Sequence, residues 1–157
     1  MREVHSTNTG RVAKIAIADD DPETLQLLRE ALRSPAVEIT AVAGGGDLVE
    51  LLAERGPFDL IVTDIDTPWM DGLSAIRSAR AADVTTPVLV VTGLARMGLQ
   101  VAVARLGNAR LLQKPIEISA VRAAAAALMT GSADVAMAGV RVASAFVRSR
   151  RPGRSSS

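Results

Sequence analysis

Short apolar runs alternate with stretches of helical periodicity along most of the chain. The first run, Val12 to Ala18, reads as a central strand and is followed by three aspartates, Asp19 to Asp21. Asp21, Pro22 and Glu23 make a helix start: a capping carboxylate, a proline at the first helical position and an acid facing the positive helix end. Leu25, Leu28 and Leu32 form its inner face, and Ser34 with Pro35 stop it. Val37 to Val42 reads as a second strand. Gly44 to Asp47 then turns the chain into a helix carrying Leu48, Leu51 and Leu52, which Gly56 and Pro57 end. The rest of the pattern predicts a strand from Leu60 to Thr63, a helix near 73–82, a strand from Val88 to Thr92 and a helix near 98–106. A short strand around Leu111 and Leu112 and a last helix from near Ser119 complete it.

Five strands alternating with five helices specify an α/β fold with a parallel sheet, because each parallel pairing needs a crossover and right-handed crossovers cover both faces. Functional groups of such sheets collect at the carboxyl ends of the strands. The polar residues here do so: Asp19 and Asp20 end the first run, Asp64 the third and Thr92 the fourth, and Lys114 follows the fifth. Simple loop solvation is the bland explanation, and it does not account for four strand ends of five sharing one compatible chemistry.

Composition narrows the classes. At 157 residues there is room for one domain with a sizeable core. Eighteen lysines and arginines nearly balance seventeen aspartates and glutamates, so the body is neither a polyanion binder nor a disordered acid. The chain has no cysteine, which removes disulfides, thiolate metal sites and cysteine nucleophiles, and leaves the cytoplasm as the simplest compartment. A polar start and the lack of a long apolar run argue against secretion and membrane spanning.

The strand-end set has a definite chemistry. Three carboxylates, Asp19, Asp20 and Asp64, are expected to crowd at one edge. Each pair at roughly 4 Å repels by about 4 kcal/mol at an effective dielectric near 20, so a cation must offset them. All-oxygen donors suit Mg²⁺, which takes one or two carboxylates plus waters and phosphate oxygens. Lys114 adds a second positive charge. With no cysteine, and the single histidine, His5, in a polar leader, the feasible nucleophiles are carboxylate and hydroxyl. A carboxylate attacking phosphorus gives an aspartyl phosphate, with the Thr92 hydroxyl available to a phosphoryl oxygen.

Four segments, in order, carry a family resemblance. IAIADDDP resembles the first strand and acidic pair of response-regulator receivers, DLIVTDIDTPWMDG their phospho-acceptor segment, PVLVVTG their fourth strand with its switch threonine, and LLQKP their lysine-proline segment. The resemblance covers roughly 12–130. It implies a flavodoxin-like, doubly wound five-stranded sheet with five flanking helices, in a non-enzymatic signalling protein. Asp64 would accept the phosphoryl group, Asp19, Asp20 and the Asp66 backbone carbonyl would join it in holding Mg²⁺, Thr92 would be the switch hydroxyl and Lys114 the phosphate partner. Gly93 matches the small residue that leaves the pocket open, and Lys114 to Pro115 is a candidate cis peptide. The implied partners are a sensor histidine kinase or histidine phosphotransfer protein and a downstream protein, with homodimerisation open and neither nucleic acid nor membrane expected.

Two departures stand out. Receivers that signal by aromatic rotation usually carry Tyr or Phe three residues before the lysine, where this chain has Leu111. Asp66 places an acidic side chain where many relatives have a neutral one, and that side chain is expected to point to solvent. Two other classes compete. A phosphatase resembling the haloacid dehalogenase superfamily also uses aspartate, hydroxyl and lysine, and DIDTP partly mimics its signature. Its acidic metal pair follows the lysine, however, whereas here Asp19 and Asp20 come first. The other class is a receiver-like interaction module that is never phosphorylated.

The division expected is a leader at 1–11, the receiver at 12–130 and an extension at 131–157. In the extension Val135, Ala138, Val142 and Phe146 recur at near-helical spacing and suggest one additional helix. Arg148, Arg150, Arg151 and Arg154 form a basic tail beyond it, expected to be solvated. An extension of this length holds no ordinary output domain, so signalling is expected to run through surface contacts or phosphoryl relay.

Overall fold

The computed structural model describes residues 11–66, 72–93 and 97–130. The additional helix expected at 135–146 and the basic tail fall outside the described residues, as does His5. Among the described residues ten elements alternate strictly: β1 Ala13–Ala18, α1 Pro22–Leu32, β2 Val37–Val42, α2 Gly45–Arg55, β3 Leu60–Asp64, α3 Gly72–Ala81, β4 Val88–Thr92, α4 Leu99–Leu106, β5 Ala109–Gln113 and α5 Ile118–Met129. The strands form one parallel sheet in the order β2-β1-β3-β4-β5, the doubly wound arrangement expected.

Helix α1 starts where its capping chemistry dictates. The Asp21 carboxylate accepts from Glu23 N at 3.2 Å and from the Thr24 hydroxyl at 2.7 Å, with Pro22 in the first turn. Those contacts hold the Asp21 carboxyl below its usual range, the Thr24 bond contributing most. Helix α2 begins a turn earlier than its glycines suggest, Gly45 and Gly46 being already helical. Burial at the sheet outweighs their weak propensity.

The sheet divides two apolar cores. Side chains alternate across each strand, so Ile15, Ile17, Leu60, Val62, Leu89 and Val91 face α1 and α5, while Ala16, Ala18, Ile61, Val88 and Val90 face α2, α3 and α4. Strands β3 and β4 are buried along their whole length, which is why they read as continuous apolar runs rather than alternating ones. Leu28 and Leu32 are buried as expected, whereas Leu25 is only half-buried and Thr24 and Ala31 share the inner face.

One charged side chain braces the far edge of the sheet. Arg80, near the end of α3, donates to the carbonyls of Val84, Thr86, Leu106 and Gly107 at 2.8 to 2.9 Å. It ties the turn before β4 to the turn before β5, and its guanidinium supplies donors to backbone acceptors that neither helix nor sheet satisfies. Burial lowers its pKa.

Candidate functional site

Winding reverses between β1 and β3, which are neighbours in space. The C-terminal ends of these strands form the crevice where ligands bind in open α/β sheets. Asp19 follows β1, Asp64 closes β3, Thr92 closes β4 and Lys114 follows β5. Backbone bonds fix the level of these ends: Asp19 N donates to Val42 O at 3.0 Å and Lys114 N to Thr92 O at 2.8 Å. Asp19, Asp64 and Thr92 are all at least 95 % buried, and Lys114 reaches them from a half-exposed stem. The Lys114–Pro115 peptide is cis, as the resemblance suggests, and so is Gly56–Pro57.

Lys114 is the hub. Its Nζ donates to Asp64 Oδ2 at 2.8 Å and lies 3.5 Å from Asp19 Oδ2. Burial opposes its charge, but the hydrogen bond and charge of Asp64, with the charge of Asp19, outweigh this and raise its pKa above the ordinary lysine value. For Asp19 burial dominates and raises the carboxyl pKa against the lowering effect of the Asp21 N–H and Lys114. Asp19 Oδ1 accepts from Asp21 N at 2.9 Å, while Asp19 Oδ2 is buried and lacks a hydrogen-bond partner. At 3.5 Å the Lys114 contact is an ion pair too long to satisfy it.

Of the three carboxylates expected at this edge, two are paired by Lys114. Asp19 is buried beside Asp64, and Asp20, the next residue, is exposed. No three acidic, histidine or cysteine side chains among the described residues converge as a metal cage. The set suits a hard cation: two buried oxygen-donor carboxylates, one with an oxygen lacking a hydrogen bond, followed in the chain by the exposed acid Asp20.

Asp66 departs from expectation. It is exposed, yet its carboxylate is not simply turned to water: Oδ2 accepts from the Thr92 hydroxyl at 3.1 Å. Its backbone N–H donates to Asp64 Oδ1 at 2.8 Å. Parallel pairing sets Asp64 opposite Val91, so the chain two residues beyond Asp64 runs past Thr92. The contact is thus a product of sheet register, which spacing in the sequence does not reveal.

Gly72 is a further site residue that sequence reasoning passed over. A Cβ there would sit 2.5 Å from the Asp64 carbonyl oxygen and 2.6 Å from Thr63 Oγ1, so α3 can start against the end of β3 only with a glycine. The signal was present as the last letter of DLIVTDIDTPWMDG. At Gly93, by contrast, the nearest atom to an added Cβ is Lys114 Cδ at 3.9 Å, an ordinary contact. A cleft of about 340 Å³ lined by Leu52, Pro57, Phe58, Val84 and Thr86 among others lies at the opposite end of the strands, among the turns before β3 and β4.

Similarity to known proteins agrees with this geometry. The family model described as "Response regulator receiver domain" matches residues 15–126. The response regulator receiver protein CpdR of Brucella abortus is 31% identical over 105 residues, 67% of this chain and 87% of that protein. Protein-glutamate methylesterase/protein-glutamine glutaminase 4 of Myxococcus xanthus is 38% identical over 106 residues, 66% of this chain but 30% of its own length. Over the first curated relatives the chain spans between about a third and a half of their length. The receiver domain of a signal transduction histidine kinase from Syntrophus aciditrophicus superposes with a TM-score of 0.68 at 26% identity, covering 78% of this chain and 93% of that one. A receiver domain from Vibrio parahaemolyticus gives 0.71 at 20% identity over 83% and 97%, a likeness of fold.

Proposed function

The chain belongs to the response regulator receiver family, and from that premise we propose that Asp64 is the residue that carries the phosphoryl group. One observation supports this above the others: the Asp64 carboxylate, nearly buried at the switch point of the sheet, is hydrogen-bonded on Oδ2 by Lys114 and on Oδ1 by Asp66 N. Two donors from different elements fix its orientation, as a carboxylate nucleophile requires.

In this reading an Asp64 oxygen forms a bond to phosphorus as the bond from phosphorus to the donor's leaving group breaks. The donor is a phosphohistidine of a sensor kinase or phosphotransfer protein. Lys114 neutralises charge on the phosphoryl oxygens, and the Thr92 hydroxyl donates to one of them. Asp19, Asp20, Asp64 and the Asp66 carbonyl would hold Mg²⁺. When bound there, the ion supplies positive charge against the phosphoryl oxygens. The signal leaves through protein contacts, and the compartment we assign is the cytoplasm. Methylesterase activity belongs to the Myxococcus relative, of which this chain spans 30%. Among the described residues no helix is long and apolar enough to cross a membrane. The order of the acids, with Asp19 ahead of Asp64 and Lys114, supports a receiver over a dehalogenase-like phosphatase.

Incubation with acetyl phosphate and Mg²⁺, followed by intact mass, tests the assignment. The wild type is expected to gain one phosphoryl group, and Asp64→Asn to gain none while keeping its fold. Labelling of Asp64→Asn at the wild-type rate would refute the acceptor, and continuous turnover without an adduct would favour the phosphatase.

A further inference from the structure

Thr92 and Asp66 share a hydrogen bond that no other part of the proposed reaction uses. The Thr92 side chain is 1 % exposed, so its hydroxyl needs a partner within the protein. The oxygen it reaches belongs to the Asp66 carboxylate, at 3.1 Å. Asp66 is fixed at its other end, its N–H bonded to Asp64 Oδ1 at 2.8 Å. The residue thus connects the acceptor carboxylate to the switch hydroxyl before any phosphoryl group is present.

A hydroxyl has one proton to donate, and a carboxylate is among its strongest acceptors. A phosphoryl oxygen on Asp64 would require that same proton. We propose that Asp66 is a positioning residue acting through Thr92: its carboxylate latches the hydroxyl in the resting state and competes with the phosphoryl group for it. This rests on Asp64 being the acceptor. A ligand shifts a two-state element only through differential interaction with the two states, so the strength of the latch subtracts from what phosphorylation can gain at Thr92. A side chain at position 66 that offers no acceptor oxygen would relieve that competition.

Asp66 also repels an incoming phosphoryl group by charge alone, and a double-mutant cycle separates the two effects. Labelling rates with acetyl phosphate and Mg²⁺ are compared for wild type, Asp66→Ala, Thr92→Val and the double variant. Charge relief appears in both backgrounds, whereas release of the latch needs the hydroxyl. Asp66→Ala is therefore expected to accelerate labelling at least about threefold more with Thr92 present than with Val, since directly contacting residues couple. Equal acceleration in both backgrounds, or slower labelling by Asp66→Ala, would overturn the proposal. The second readout needs no phosphodonor. Three-bond couplings to Thr92 Cγ2 should report one rotamer in the wild type and in Asp66→Asn, whose amide oxygen still accepts, and averaging in Asp66→Ala. Couplings unchanged in Asp66→Ala would refute the latch by themselves. If the wild type is never labelled, the acceptor reading fails, and the couplings still decide the latch.

Discussion

Lys114 sets its Nζ 2.8 Å from Asp64 Oδ2 and 3.5 Å from Asp19 Oδ2, so one ammonium serves carboxylates from two neighbouring strands. Removing it would leave both carboxylates buried without a counter-charge. Lys114→Met, measured with a chelator present, is expected to lose about 1–3 kcal/mol, below the full cost of breaking a buried pair because the lysine is partly exposed. The lysine pKa is raised in the folded state above its ordinary 10.5. Its contribution is therefore fully present below that value and is lost as pH rises through the folded pKa. Urea titrations should show a gap between wild type and variant that is steady at neutral pH and narrows only in the alkaline range.

Magnesium should stabilise the fold. An ion that binds the native state alone adds about 2.7 kcal/mol at a hundredfold excess over its Kd. Thermal melts at millimolar Mg²⁺ are expected to shift upward for the wild type and much less for Asp20→Ala, an exposed position whose loss leaves the core intact. An identical melting curve with and without the ion would count heavily against the site.

Arg80 should behave as a structural brace. Arg80→Ala leaves four carbonyls without their donor, and the expected loss is about 2–4 kcal/mol, in the range of a broken hydrogen-bond network. Arg80→Lys should recover little, since an ammonium lacks the planar fork that reaches both turns. The denaturation midpoint, with an unchanged m-value, is the measurement.

Gly72 and Gly93 should respond differently to a single methyl group. Gly72→Ala forces a Cβ against the Asp64 carbonyl and should cost about 1–3 kcal/mol, with slower labelling of Asp64 because the end of β3 must shift. Gly93→Ala meets only an ordinary contact and should stay within about 0.5 kcal/mol of wild type. Equal melting temperatures for the two variants would contradict the close approach of α3 to β3.

Activation should bypass Leu111. That residue is half-buried and packs against the core on the α4 side of the sheet, and a leucine has no hydroxyl to exchange between two positions. Hydrogen exchange on phosphorylation should change around 92–97 and in α4, and only slightly at Leu111. Thr92→Ala should abolish those changes. Changes centred on Leu111 that persist in Thr92→Ala would exclude this route.

Much of the molecule was legible before any coordinates. Strand β2, strand β4 and the start of α1 lie where the apolar runs and the Asp21–Pro22 cap set them. Burial on both faces leaves no other reading for Val88 to Thr92. Helix α2 was harder, since Gly45 and Gly46 look like a turn and become helical only because Leu48 and Leu51 are buried against the sheet. The candidate site divides in the same way. Asp64, Thr92 and Lys114 were visible as strand-end polar residues, whereas the hydrogen bond from Thr92 to Asp66 was not.

By itself, then, the sequence determined the order of the elements, the faces they bury and the kinds of side chain that gather at one edge. These follow from local periodicity and capping, which act over a turn or two of chain. The tertiary structure alone decided that Asp66 meets Thr92, that Lys114 bridges Asp19 and Asp64, that Arg80 joins two turns and that Gly72 has no room for a Cβ. Each of these is a distance across neighbouring elements. Such distances depend on parallel register and on the level at which each strand ends, and the cooperative packing of the whole sheet sets both.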